Sequence, residues 1–428
     1  MGQHGHGNGR HLCCRERPMR PHILLLTPQL PYPPHQGTSL RNFHMLKALA
    51  QHHEVTLLSF AEGDQPQESD PLQALCRVLP PVVVPTRTTT LRLKSLVMTR
   101  LPDMAMRLES TTFSDALART LQENVYQAVQ IEGIELAAYI QIVRQYAPDA
   151  RIVLDCHNAE TELQRRALRV DRSNPSRWPA ALYSRIQIGR LARFEAWAMR
   201  QSDAIFAVSQ TDRSHLLELL PGSAKDVTVI PNTIDTAEYA KPQRSVPEFN
   251  YDLVFTGKMD YRPNVDAVLW FAENVWPSVR RARPHTTWAI VGQRPHARLE
   301  PLRHVAGITL TGRVTAIHPY LHGSSVYIVP LRVGSGTRLK LIEAMAAGKP
   351  IISTAIGAEG LEVEDKDEII LAESVDEWVE SIISLLADEA LRKKMSAAAC
   401  KFAAQYDWRQ IIPLINDVYL NLLQTDDR

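Results

Sequence analysis

Residues 334–352 read GSGTRLKLIEAMAAGKPII, a glycine turn followed by a helix-period segment and a short apolar run. Gly334 and Gly336 bracket the turn, Arg338 and Lys340 bring two cations to the start of the helix, and Glu343 is the one carboxylate among small and apolar residues. A helix that opens after a flexible turn presents unpaired N–H groups and the positive end of its dipole, which suits an anion such as a phosphate. With the helix starting near Thr337, Gly336 and Glu343 lie on one face about 10 Å apart along the axis, within reach of a single ligand. A phosphate on the amides of Gly334, Ser335, Gly336 and Thr337 would leave Glu343 to accept hydrogen bonds from a ribose diol. The residues alone allow a second reading, in which Glu343 pairs with Lys340 on a solvated helix face for ~0.3 kcal/mol.

Outward from this segment, short apolar runs alternate with helix-period segments over almost the whole chain, the pattern of parallel sheets joined by crossover helices. In the first half the strands are HILLL from His22, EVTLLSF from Glu54, AVQIE from Ala128, RIVLD from Arg151, AIFAVS from Ala204 and VTVI from Val227, with a helix over Ser39–Gln51. The second half starts afresh with a strand at Leu253–Thr256, a helix over Val265–Val275 and the strands WAIVG, GITLTG, VYIVP and PIIST. Residues 231–250, with three prolines and little periodicity, read as an interdomain linker. The expected fold class is α/β, with two Rossmann-like, doubly wound domains at residues 21–230 and 251–405. Their strands would face a central cleft with their carboxyl ends, where ligands bind in such sheets. The amphipathic stretch 406–428 is expected to form a C-terminal helix crossing back to the first domain.

The chain has 428 residues and 45% hydrophobic content, ample for two cores, and a formal charge of +1. That balance argues against nucleic acid, which calls for a basic surplus. Cys13, Cys14, Cys76, Cys156 and Cys400 have no C-x-x-C spacing, and a reducing cytoplasm is the simplest setting for them. Residues 1–20 are a polar tail rich in His, Gly and Arg without the apolar core of a secretion signal, and Met19 is an alternative start. No apolar run is long enough to span a bilayer.

The segment 329–361, VPLRVGSGTRLKLIEAMAAGKPIISTAIGAEGL, resembles the donor-binding signature of the retaining glycosyltransferases of family four, which have the GT-B fold. The similarity extends to TPQLPYPPHQGTSLRNFHMLKALAQHHEVTLLSF before and through the first helix, and to DCHNAE, FAVSQTD, VIPNTID, TGKMDYRPNVDA, IVG and LTGRV in the family's order. The series covers most of the chain from Pro21 to about Tyr406, and its specificity lies in the order rather than in any one piece.

The resemblance implies roles residue by residue. Glu343 matches the family's ribose-binding glutamate, and Lys258 matches the cation at the donor diphosphate, with Arg338 a second candidate. Gly312, Arg313 and Val314 match the loop that flanks the nucleobase. His157 matches a histidine that approaches the transferred sugar from the first domain, and Gly37 with Thr38 matches the loop facing donor and acceptor. Three positions depart from the pattern: Ser335 stands where the family often has a first glutamate, Thr38 replaces the second glycine of a pair, and Arg262 or Asn264 stands where a second cation is common. Each residue also has a plainer reading, Lys258 as a solvated lysine after a strand and His157 as a satisfied loop histidine. Arg338 would oppose the helix dipole unless an anion were near. Asp155 reads as structural, and the only D-x-D, Asp365 to Asp367, lies in an acidic loop.

The implied activity is transfer of a sugar from a nucleotide-diphosphate-sugar to a glycan or lipid-linked acceptor with retention. No cofactor and no metal are expected, because cations and amides meet the leaving-group charge. A nucleotide-sugar epimerase of the same fold and a non-catalytic nucleotide-sugar-binding protein are the competing readings. A Rossmann oxidoreductase is disfavoured by TPQLPYPPHQG where G-x-G-x-x-G would stand, and a P-loop by Pro350 after Gly348 and Lys349. From Arg165 to Arg200 nine arginines face two acids, a face suited either to anionic membrane lipids or to solvent. TLRLKSLVMTR from Thr90 is a second basic amphipathic stretch. The expected location is cytoplasmic, with peripheral membrane contact as one reading of these faces.

Overall fold

The computed structural model describes residues 20–34, 37–61, 70–88, 98–172, 178–240, 249–333 and 339–424. Gly334, Ser335, Gly336, Thr337 and Arg338 therefore lie outside the described residues, as do most of TLRLKSLVMTR and of the amino-terminal tail.

The apolar runs of the first half form one parallel sheet from β1 (His22–Thr27), β2 (Glu54–Ala61), β3 (Arg77–Val78), β4 (Val82–Val83), β5 (Ala128–Glu132), β6 (Arg151–Cys156), β7 (Ala204–Ala207) and β8 (Thr228–Val229). Their order is β3-β2-β1-β5-β6-β7-β8, with β4 also on β2. The second half forms another parallel sheet from β9 (Tyr251–Thr256), β10 (Trp288–Val291), β11 (Ile308–Gly312), β12 (Ser324–Val329), β13 (Ile351–Ser353) and β14 (Ile370–Leu371). Its order is β11-β10-β9-β12-β13-β14. In each sheet the order reverses beside the first strand, the switch point at which doubly wound folds open a crevice.

The strands lack alternation because both faces are covered. In β1, Leu24 and Leu26 enter the core under one face while Ile23 and Leu25 enter the core on the other. That second core also receives Ile411, Ile415 and Tyr419, spaced four residues apart along the helix Ile411–Gln424. The C-terminal helix thus packs on the first sheet, beside the helix Gly37–His52.

Boundaries move where side chains compete with the ladder. AIFAVS stops as a strand at Ala207 because Ser209 turns to cap the helix Gln210–Glu218, accepting from the Asp212 amide at 3.0 Å. The helix expected over Val265–Val275 begins earlier, at Arg262 with Pro263 in its first turn, and passes into a π turn at Phe271–Val275.

Residues 231–250 contain ordered structure. Ile234 is buried, donates its amide to Tyr406 O at 3.0 Å and accepts from the Trp408 amide at 2.9 Å. Asp407 accepts from the amide and hydroxyl of Thr236 at 3.1 and 2.6 Å. The two chain crossings between the halves therefore lie side by side. The short helix Thr236–Tyr239 that follows delivers Tyr239 to the core of the second sheet.

Candidate active site

The carboxyl ends of β5 and β6 build the first wall. Glu132 ends β5 and is paired in register with Asp155 of β6, so two carboxylates stand side by side with no exposure. Arg41, on the helix Gly37–His52, answers one of them: its Nε and Nη2 reach the two Asp155 oxygens at 2.8 and 2.6 Å. Burial disfavours both charges, but the pairing prevails, holding the Asp155 carboxyl below its usual range and the guanidinium above its own. Arg41 also donates to Ile230 O at 2.9 Å and Asn232 Oδ1 at 3.1 Å, tying the helix to the start of the crossing. Asp155 thus has the structural role read from the sequence.

His157, just past β6, donates or shares a proton from Nε2 with Glu132 Oε2 at 2.9 Å. Burial and the neighbouring Asp155 push the Glu132 carboxyl up to about 7, although His157 and Arg41 oppose this. Burial works against the imidazolium, yet the Glu132 hydrogen bond and Asp155 outweigh it and raise the His157 pKa. The helix Glu160–Arg172 that follows is anchored by the buried Glu195, which accepts from the Glu160 and Thr161 amides at 3.0 Å each and from the Thr161 hydroxyl. Glu195, one of the two acids on the arginine-rich stretch, therefore belongs to the interior. Arg166 of the same stretch pairs with Glu359 of the second half at 2.5 Å.

The second wall stands at the carboxyl ends of β9 and β10. A Cβ on Gly292 would lie 1.7 Å from Gly257 O, so only glycine lets the loop after β10 cross the loop that carries Lys258. Lys258 is 42% exposed and 4.0 Å from Asp260 Oδ1. Lys340 extends toward the same turn, donating to Asn264 Oδ1 at 2.8 Å and lying over the Phe255 ring at 4.6 Å, while Asn264 donates to Lys258 O at 2.9 Å. A side chain on Gly257 would come within 3.0 Å of the Lys340 ammonium.

Glu343 lies in the second turn of the helix Leu339–Ala346 and accepts from the Tyr239 hydroxyl at 3.0 Å. Burial raises its pKa, with Tyr239 and Lys340 pulling the other way. Gly312 has φ +71 and ends β11, with exposed Arg313 and half-buried Val314 after it. The walls approach where Gly37 opens the first helix: a Cβ there would sit 3.6 Å from Leu339 Cδ1. Thr38 O accepts from Asn42, whose amide nitrogen also donates to Glu132 Oε2 at 3.0 Å.

Of the residues expected from sequence, His157, Gly37 and Thr38 stand on the first wall, and Lys258, Gly312, Arg313, Val314 and Glu343 on the second. Arg41, Asn42, Glu132, Tyr239 and Lys340 were not among them. A glutamate closing the buried run AVQIE was the available signal for Glu132, and a cation one turn before Glu343 that for Lys340. Glu132, Asp155 and His157 also bring ligand atoms within 4.8 Å of one another, but both Asp155 oxygens are held by Arg41, whose guanidinium already supplies the cation. Asp365 accepts from the amide of Leu371, in β14, at 2.8 Å.

Residues 36–238 match the family model described as Glycosyltransferase Family 4, and residues 250–388 match the one described as Glycosyl transferases group 1. The chain belongs to the GT-B glycosyltransferases. This GT-B chain is 26% identical over 241 residues to glycogen synthase of Mycobacterium tuberculosis, covering 53% of the chain and 56% of that protein. It is 25% identical over 225 residues to the phosphatidyl-myo-inositol mannosyltransferase of Mycobacterium leprae, covering 50% and 58%. The chain thus spans a little over half the length of these curated relatives. Sucrose-phosphate synthase from Thermosynechococcus elongatus superposes with a TM-score of 0.70 at 16% identity over 95% of this chain and 100% of that one. Anabaena HepE in complex with UDP and glucose gives 0.62 at 14% identity over 92% and 98%. At such identities the likeness concerns the GT-B fold. No helix among the described residues is long and apolar enough to cross a membrane.

Proposed function

We propose that this GT-B chain transfers a sugar from a nucleotide-diphosphate-sugar to an acceptor hydroxyl, with retention and without a metal. The observation that carries the reading is the grouping of Lys340, Asn264 and Lys258 at the carboxyl end of β9, one turn of helix from the half-buried Glu343. Cations and a carboxylate so placed meet a diphosphate and a ribose diol. Charge develops on the diphosphate as it leaves the anomeric carbon, and preorganised cations aimed at that charge are the largest catalytic contribution expected in such a site. Arg338 and the amides of Gly336 and Thr337 are assigned to the same anion, with Ser335 beside them. Gly312, Arg313 and Val314 are assigned to the nucleobase. His157, with Gly37 and Thr38, meets the sugar from the opposite wall. The acceptor attacks the face the diphosphate leaves, and the diphosphate takes its proton, so no enzyme nucleophile is required.

The related proteins support a donor and an acceptor of these kinds: HepE is in complex with UDP and glucose, and the mannosyltransferase is named for phosphatidyl-myo-inositol. A glycan or lipid-linked acceptor is accordingly proposed, reached from an anionic membrane surface in the cytoplasm through the arginine-rich stretch. The test is thermal shift of the full chain against UDP-, GDP-, ADP- and TDP-sugars, since a ligand of the folded state raises the melting temperature. It is followed by NMR of the product anomeric proton with the donor so identified. Failure of every donor to raise the melting temperature, or an inverted product, would overturn the reading.

A further inference from the structure

We propose that Glu132 is the positioning residue of this site, holding His157 at the cleft, and that Tyr419 of the C-terminal helix sets Glu132 through Gln130. The inference rests on the placement of His157 against the donor sugar proposed above. It starts from a hydrogen-bond chain that runs through the first sheet. The Tyr419 hydroxyl donates to Gln130 Oε1 at 2.6 Å, Gln130 Nε2 donates to Glu132 Oε1 at 2.5 Å, and Glu132 Oε2 meets His157 Nε2 at 2.9 Å. Gln130, Glu132 and Tyr419 are all without exposure, whereas the His157 side chain keeps 13%. The chain thus begins in the core and ends at the cleft.

A buried carboxylate is stable only when its oxygens are met by donors. Arg41 is the obvious partner for both acids, but it spends its fork on Asp155. Glu132 is left to Gln130, Asn42 and the imidazole. With Asp155 and Glu132 ionised and Arg41 cationic, the group reaches neutrality when His157 carries its second proton. The two raised pKa values, of Glu132 and His157, agree with a proton held between them. The ring therefore meets the donor in a fixed orientation, with Nε2 committed to Glu132. Charged and titratable groups facing the pair are Arg41 on the first helix, Asp155 on β6, Glu160 on the following helix and Tyr419 on the last. Tyr419 acts at a distance of two links: by donating to Gln130 Oε1 it turns the amide nitrogen toward Glu132.

The experiment uses the full chain with ring-labelled histidine, following the His157 resonance by NMR through a pH titration and assigning it with His157→Asn. In Glu132→Gln the His157 midpoint is expected to move to lower pH by at least about one unit, because the imidazolium loses its anionic partner. With the donor identified, kcat falls at least ~10-fold while the donor KM stays within about twofold, since the groups assigned to the nucleotide and diphosphate lie on the other sheet. Glu132→Asp restores most of the titration shift, and Tyr419→Phe moves it in the same direction as Glu132→Gln but by less. An unchanged His157 midpoint in Glu132→Gln, or a KM that rises in step with the fall in kcat, overturns the proposal. If Glu132→Gln does not fold, Tyr419→Phe decides by the same readout, a null shift overturning the chain of positions. Should the wild type use no donor, the functional reading fails, while the titration still decides whether Glu132 governs His157.

Discussion

Tyr239, delivered by the crossing from the first half, donates its hydroxyl to Glu343 Oε1 at 3.0 Å on the helix that opens the second half's candidate donor site. The carboxylate is thus held before any ligand arrives, and the residue that holds it lies on the crossing between the halves. Glu343→Ala is expected to abolish donor binding while leaving the fold intact, because Leu341, Ile342, Ala344 and Met345 supply the packing of that helix. Tyr239→Phe should weaken binding by roughly 10–100-fold, the loss of one hydrogen bond to a charged group. Since Tyr239 counteracts the burial that raises the Glu343 pKa, the loss should grow toward acid pH. Calorimetry with the identified donor at two pH values checks both.

Lys340 is expected to carry leaving-group charge together with Lys258. Lys340→Met should lower kcat by about 100-fold, the scale for removing one preorganised donor, and should weaken nucleoside diphosphate binding less at high salt than at low. Sugar transfer should continue in excess EDTA. Loss of activity restored by magnesium or manganese would return Asp365 and Asp367, or Glu132 and His157, to consideration as ligands.

Arg41→Met should destabilise the chain by about 3–5 kcal/mol, because it strands the buried Asp155 charge. Arg41→Met combined with Asp155→Leu should recover part of that loss, since no uncompensated charge remains. Chemical denaturation of the two variants side by side measures the difference.

His44 lies at the crossing, its Nδ1 3.0 Å from Thr233 O and its ring stacked on Trp408. Burial pulls its pKa from 6.5 down to about 4, with Lys47 adding to this and Thr233, Asp235 and Asp407 opposing it. A neutral buried histidine binds its proton more weakly than the unfolded chain does. Its contribution is therefore present in full above pH 6.5 and is lost as pH falls toward about 4. The stability difference between wild type and His44→Gln should narrow by up to ~3 kcal/mol over that window. Comparing the two proteins isolates His44 from Glu132 and Glu195, whose raised pKa values act in the opposite sense over the same range.

The strands were legible because burial on both faces leaves a local mark. AVQIE coincides with β5, and RIVLD with all but the last residue of β6. His157 was legible for the same reason, standing where a strand ends. Glu343 was legible as a carboxylate on an otherwise apolar helix face, but its partner was not, because Tyr239 is 104 residues away. Lys340 looked like the partner of Glu343, yet it reaches Asn264, 76 residues earlier, once the two neighbouring segments meet at β9.

The two parallel sheets, the side of each at which ligands would gather, and the family could all be read from the chain alone. These follow from apolar periodicity, strand ends and motifs, all properties of residues near one another along the chain. The folded arrangement was needed to see which charged groups stand side by side and which residues join the halves. Glu132 stands beside Asp155 because β5 and β6 are neighbours in register, and Tyr419 reaches Gln130 across 289 residues because the last helix returns to the first sheet. Such pairings depend on strand order and helix return, and a hydrogen bond or ion pair that forms across them leaves no period in the chain to read.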